Sequence, residues 1–294
     1  MSFEETYKKQ LLCTFTSLIQ FLDRNNLKWF VAGGTLIGAV RHKGLIPWDD
    51  DIDIHMPRED FEKLLLLRSS LINSDYEIKY LDKNSEYYMP FAKFCYKHST
   101  LWEFKERPCL FGVYVDILPL DYINGNVDSA ISSIDYFREI FSLYARSTYH
   151  YSYNEIIYKL IRGQWRVALS NVITKLFYSS RLEKYRLNFR NLESKFIDSK
   201  GDFLVCHGGA YKYKEIYKAE WYETTIELPF EDFKVCAPKC YDAILTQLYG
   251  NYMTLPPQDK RIASHDDRYY VNLKEGLSIE EVKKRIQTGE FKVY

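Results

Sequence analysis

The chain has 294 residues, 46% hydrophobic and 27% charged, and its 40 Lys and Arg balance its 40 Asp and Glu. That is the composition of a folded globular protein with room for a sizeable core, and it excludes a disordered chain. Zero net charge leaves no global field toward nucleic acid, so no nucleic-acid partner is expected and electrostatics act only locally.

Leu11, Phe15, Leu18 and Leu22 recur at helical spacing and predict an amphipathic first helix, followed by turn chemistry at 23–26. Residues 29–32 (WFVA) predict a short strand closed by Gly33-Gly34, and residues 35–40 a short helix. A loop at 41–47 with Gly44 and Pro47 leads to a second strand over 49–56. Pro57 then opens a helix that runs to about 68. Strands are predicted at 76–81, 91–96 and 111–117, the last ending at Pro119. Residues 129–200 are helical in pattern, with Gly163 as the one Gly or Pro. A strand at 224–228, a helix at 238–249 stopped by Gly250, and an extended polar tail from Pro256-Pro257 complete the order. The fold class is therefore α+β: a mixed-sheet core over 1–125 with flanking helices, a helical insertion over 126–200, and a segment over 201–294 that returns to complete the core.

The N-terminal MSFEETYKKQ is too charged for the apolar core of a secretory signal, and the charge-free stretches 11–22 and 29–40 are too short to span a bilayer. Cys13, Cys95, Cys109, Cys206, Cys236 and Cys240 contain no CxxC pair. Free thiols and a cytoplasmic location are expected.

The chemistry concentrates in WDDDIDI at 48–54. Along a strand, Asp49, Asp51, Asp53 and His55 share one face, and Trp48, Asp50, Ile52 and Ile54 the other. Carboxylates spaced roughly 6.8 Å apart repel by about 2.5 kcal/mol per adjacent pair at an effective dielectric near 20. Such a row calls for a cation, and an all-oxygen set favours Mg²⁺, with Mn²⁺ as the alternative. Asp50 has the wrong parity and suits a turn or cap. Asp116, a lone acid in the apolar run FGVYVDILPL, is costly unless it is paired or binds metal. The metal set is thus Asp51 and Asp53, completed by Asp49 or Asp116, while Asp121 reads as a cap or turn. Gly33, Gly34 and Thr35 lie between strand and helix, where free backbone N–H groups face an anion, and Arg41, His42 and Lys43 add positive charge on the following loop. Lys93 either reaches the same phosphates or is solvated. His55 is open to a supporting hydrogen-bond role, and His207 beside Gly208-Gly209 reads as structural.

The run GGTLIGAVRHKGLIPWDDDIDIHMPREDF at 33–61 resembles the signature of the LicD family, which includes the fukutin-type transferases. The likeness continues in VDILPLD at 115–121, in ELPFEDF at 227–233, and in APKCYDAILTQLYGNYMTLPP at 237–257 followed by His265. It leaves 129–200 unmatched. The resemblance implies a nucleotidyltransferase-like fold in which the diglycine turn and a strand-borne DxD hold Mg²⁺ and a nucleoside diphosphate. It implies transfer of a phosphorylated alcohol from a CDP-alcohol, most often phosphocholine from CDP-choline, to a sugar hydroxyl of a surface glycan or lipid-linked saccharide. CMP is released, and the step would belong to lipopolysaccharide, teichoic acid or capsule synthesis. Lys260, Arg261 and His265 resemble the family's closing motif over the nucleotide. Fukutin-type relatives also carry a cysteine-bound zinc, which the cysteine spacing here does not support.

In that scheme Asp51 and Asp53 are catalytic through the metal, and Asp116 is the first choice to accept the acceptor's proton. CTP-dependent nucleotidyl transfer with pyrophosphate release, and a catalytically inactive scaffold of glycan assembly, remain open. Residues 138–190 hold ten Lys or Arg against three Glu, with an apolar stripe of Trp165, Leu169, Val172, Ile173, Leu176 and Phe177. That stripe reads either as helical core or as a peripheral contact with the inner face of a membrane.

Overall fold

A computed structural model describes residues 2–83, 87–263 and 268–294. Helix α1 (Phe3–Arg24) starts on a capping box between Ser2 and Glu5 and buries the predicted stripe Leu11, Phe15, Leu18 and Leu22. Strand β1 (Phe30–Val31) turns into α2 (Gly33–Ile37), which runs on through a wider helical turn, Gly38–His42. Then come β2 (Asp53–Pro57), α3 (Arg58–Leu66), β3 (Tyr76–Lys79), β4 (Ala92–Tyr96), β5 (Thr100–Trp102), β6 (Leu110–Phe111) and β7 (Tyr114–Ile123). Four helices follow: α4 (Val127–Ser147), α5 (Tyr153–Ile161), α6 (Trp165–Ile173) and α7 (Leu182–Glu193). The chain returns through β8 (Phe203–Val205), β9 (Ile216–Lys218), the hairpin β10 (Thr225–Phe230) and β11 (Phe233–Pro238), and α8 (Tyr241–Tyr249). It closes with β12 (Tyr270–Asn272), α9 (Ile279–Gln287) and β13 (Lys292–Val293).

The main sheet has the order β1-β2-β7-β4-β3, with β8 and then β9 added along the far half of β7. The β2–β7 pair is parallel and the others are antiparallel, so the sheet is mixed and the class is α+β. Ile52, Ile54, Ile117 and Leu120 are fully buried and pack in one continuous core with the stripe of α1. That packing fixes the register in which Asp53 stands opposite Asp116.

Three sequence expectations change. The second strand begins at Asp53, not 49, because its partner β1 turns away into α2 after the Ala32 N–H meets the Asp53 carbonyl at 3.0 Å. The strand expected at 111–117 is two elements, and β7 runs through Pro119. There β4 has already ended opposite Ile117 and β8 has not begun, so the missing N–H leaves no ladder bond unmade. The tail is not simply extended: β12 and β13 join β5 and β6 in a second sheet, and α9 has its own capping box, Ser278 with Glu281.

Candidate active site

A cavity of about 710 Å³ opens where β1 turns into α2 and β2 leaves the acidic run. Asp49, Asp51, Asp53 and His55 all line it, whereas Asp50, Ile52 and Ile54 do not. The alternation read from the sequence therefore holds over 49–55, even though only Asp53 and His55 lie in the regular strand, but Trp48, expected on the other face, lines the cavity too because it precedes the extended run. Asp116, the register partner of Asp53, lines the same space.

Each carboxylate is held in a different way. The Asp53 N–H donates to Thr35 Oγ1 at 2.9 Å, so Thr35 positions the strand and does not itself line the cavity. Lys93, fully buried, donates to both Asp116 oxygens at 2.8 and 3.1 Å. Asp116 is thus a paired carboxylate, one of its two expected states, and one expectation is corrected: Lys93 is neither solvated nor turned to an outside phosphate. Asp50, off the cavity, is bound by Arg268 at 3.1 Å. Burial, then the nearness of Asp51, pushes the Asp49 carboxyl up to about 8. Burial and the charges of Asp51, Asp116 and Asp49 hold Asp53 well above the usual carboxylate range. Burial raises Asp116 to about 6 against the pull of Lys93. His55 is kept neutral by burial, with its value lowered to about 3, and its Nδ1 lies 3.1 Å from the Tyr222 hydroxyl.

Asp49, Asp50 and Asp51 can bring one oxygen each within 4.8 Å of one another, the one such group of metal-competent side chains among the described residues. With Asp50 committed to Arg268, the cavity-facing donors are Asp49 and Asp51, with Asp53 adjacent. This all-carboxylate set suits a hard cation such as Mg²⁺ or Mn²⁺. The diglycine turn fits against it. A Cβ on Gly34 would stand 2.7 Å from Asp49 Oδ2, and one on Gly33, where φ is +50°, 3.2 Å from Asp53 Oδ2. Glycine alone lets the backbone approach so closely.

Of the predicted cations, Arg41 lines the cavity and is anchored by the Tyr252 carbonyl at 2.5 Å. Lys43 does not reach it: it is exposed at the left-handed end of the helical turn, its carbonyl taken by the Glu231 N–H. His42 packs edge-on to Trp48 instead of lining the cavity. Arg261 lies over the Trp48 ring, in a neighbouring cavity that shares Trp48 and Asp49, while Lys260 is exposed. His265 lies outside the described residues.

Asp121 is not a turn residue. It is fully buried between Arg58, at 2.6 Å, and His207 Nδ1, also at 2.6 Å. His207, stacked between Phe137 and Phe196, is structural as expected. A further stretch of wall, made by Gly208, Gly209, Tyr211, Glu215, Tyr217 and Tyr249, was not anticipated. Its one sequence signal is the run YKYKEIYK at 211–218, a single acid among lysines and tyrosines.

Fold and cleft thus define an α+β protein with a carboxylate-lined cavity against a diglycine turn. Residues 26–142 match the sequence family described as "LicD/FKTN/FKRP, nucleotidyltransferase domain". Over that segment the chain is similar to the LicD family. It is similar to the lipopolysaccharide cholinephosphotransferase LicD of Haemophilus influenzae, 26% identical over 278 residues that cover 90% of this chain and 98% of the relative. Shorter likenesses link it to uncharacterized proteins of Rickettsia typhi (49% over 49 residues, 16% of each chain) and Rickettsia prowazekii (54% over 41 residues, 14% of this chain and 15% of the relative).

Proposed function

We propose that this chain is a divalent-metal-dependent transferase that moves phosphocholine from CDP-choline onto a sugar hydroxyl of a cell-surface glycan and releases CMP. The observation that carries this reading is the meeting of Asp49, Asp51 and Asp53 with the side-chain-free face of Gly33-Gly34 in one cavity. The end-to-end likeness to a lipopolysaccharide cholinephosphotransferase supports the group transferred and the class of acceptor.

A Mg²⁺ or Mn²⁺ held by Asp49, Asp51 and Asp53 would neutralise the charge of a diphosphate. The chain's own groups do the rest. Gly33 and Gly34 leave the backbone open to phosphate oxygens, and Arg41, fixed by the Tyr252 carbonyl, offers its charge from the same wall. The acceptor oxygen attacks the phosphorus distal to the nucleoside. The bond from that phosphorus to the bridging oxygen breaks, and CMP departs with the electron pair. Asp116 takes the hydroxyl proton, its carboxylate oriented by Lys93. Incubation with CDP-choline, Mg²⁺ and a glycan acceptor tests this: CMP and a phosphocholine-modified glycan are expected. Pyrophosphate release from CTP, or no ligand binding at all, would replace the reading with nucleotidyl transfer or a scaffold, respectively.

We also propose that residues 138–190 dock on an anionic lipid surface. No helix among the described residues is long and apolar enough to cross a membrane. Four of the six stripe residues are exposed, Trp165 at 59% and Leu169, Leu176 and Phe177 at about half, while Val172 and Ile173 are half-buried; Ile161 of α5 is 81% exposed. Arg162, Arg166 and Lys175 lie over the rings of Tyr158, Trp165 and Tyr153. Apolar surface interleaved with cations complements an anionic leaflet. Flotation with phosphatidylglycerol vesicles at low salt should carry the protein upward, and Trp165→Ser should weaken this. No flotation would refute the contact.

A further inference from the structure

We infer that Glu215, Tyr211 and Tyr249 form a binding site for a quaternary ammonium group, which selects a cationic alcohol phosphate over neutral ones. The inference rests on the transferase reading above, because it assigns this part of the same cavity to the head of the transferred group.

Glu215 lines the cavity and is 6% exposed. One carboxylate oxygen accepts the Tyr211 N–H, while Oε2 is buried with no hydrogen-bond partner. The carboxylate lies against Gly209, where a Cβ would fall 1.7 Å from Oε2, so the chain leaves that space to the acid. Burial pushes the carboxyl up to about 8, against the Tyr211 N–H and Arg138. The Arg138 guanidinium donates to the Gly209 carbonyl at 2.7 Å and acts on Glu215 only through its charge, and no ion pair with Glu215 occurs among the described residues. Ionised, a buried carboxylate with no cation in contact is costly, and a site that keeps such an acid is suited to a cation supplied by a ligand.

The surrounding groups narrow the cation. Beside Glu215 stand the edge-to-face rings of Tyr211 and Tyr249, 5.1 Å between centroids. A primary ammonium asks for several N–H acceptors. A trimethylammonium has no N–H and spreads its charge over methyl groups, so one acid and aromatic surfaces satisfy it. Reach agrees: the Tyr249 hydroxyl stands 3.6 Å from the Cβ position of Gly33 while its ring touches Tyr211. Tyr249 therefore links the diglycine turn to Tyr211, so the diphosphate site and the aromatic pair are neighbours. The rival occupant is a neutral polyol, drawn instead by the buried and unpartnered Tyr217 hydroxyl.

The test compares phosphocholine with the phosphate ester of 3,3-dimethylbutan-1-ol, in which carbon replaces the charged nitrogen at the same size. Calorimetric titration of the full chain with Mg²⁺ should show the cationic ester binding at least tenfold tighter. Glu215→Gln should bring that ratio below twofold. Tyr211→Ala, at a partly exposed position, should reduce it at least threefold, and it decides the matter should Glu215→Gln fail to fold. Equal binding of the two esters by the wild-type chain, or a ratio unchanged in folded variants, overturns the inference. CMP release from CDP-choline by the wild-type chain is measured in parallel. Turnover without discrimination overturns the cation site and leaves the transferase reading standing, whereas discrimination without turnover does the reverse.

Discussion

Replacing Arg58 by Met tests how the cavity is braced. The Arg58 side chain is 2% exposed and bridges two fully buried carboxylates, Asp121 at 2.6 Å and Glu193 at 3.3 Å. Asp121 also meets His207, the residue before the cavity-lining Gly208-Gly209. Burial alone pushes the Asp121 carboxyl up, but Arg58 and His207 overcome it and hold the value at about 2, against 3.8 ordinarily. That difference corresponds to about 2–3 kcal/mol of stability. Removing the guanidinium leaves the two acids buried without it, a loss of about 3–5 kcal/mol. At roughly 2–3 °C per kcal/mol for a chain of this size, melting should fall by about 6–15 °C at pH 7. The sign with pH follows from the lowered folded-state value: the contribution is complete above about pH 4 and is lost as pH falls toward 2. Thermal melts followed by circular dichroism from pH 7 to pH 2, on wild type, Arg58→Met and Asp121→Asn, measure both effects. Asp121→Asn should flatten the acid limb. Arg58→Met melting within 2 °C of wild type, or Asp121→Asn losing stability between pH 4 and 2 as steeply as wild type, would refute the reasoning.

Gly34→Ala should cut CMP release by about 10²-fold, because its Cβ displaces Asp49 Oδ2 from a 2.7 Å approach, while melting changes little. Thr35→Val removes the acceptor of the Asp53 N–H and should cost about 1–3 kcal/mol in urea unfolding. It should also lower turnover; a variant with wild-type stability and rate would show that Thr35 does not position Asp53.

The acidic run was legible because it combines two independent signals, period-two isoleucines that must be buried and carboxylates that cannot be. That parity placed Asp49, Asp51 and Asp53 in the cavity and Asp50 outside it, although the regular strand begins only at Asp53. Gly33-Gly34 was legible by its place between strand and helix. Partner choice was not. Lys93 and Asp116 pair across β4 and β7, and nothing in either segment announces that register. Arg268 and Asp50 are separated by most of the chain. The Glu215 wall was missed because it consists of short irregular elements whose side chains converge only after β8 and β9 dock on β7. The tail was read as extended because its strands are three and two residues long, too short to show a period, although Ser278 and Glu281 mark the start of a helix.

The most direct test is a Mn²⁺ titration in the presence of CDP-choline, comparing the wild-type chain with Asp51→Asn and Asp53→Asn. A saturable site displaced by Mg²⁺ is expected in the wild type. Both variants should lose it together with CMP release, while melting at or above the wild-type temperature as carboxylate repulsion is relieved. Variants that keep both Mn²⁺ affinity and turnover would show that these oxygens do not hold the ion on which the transfer depends.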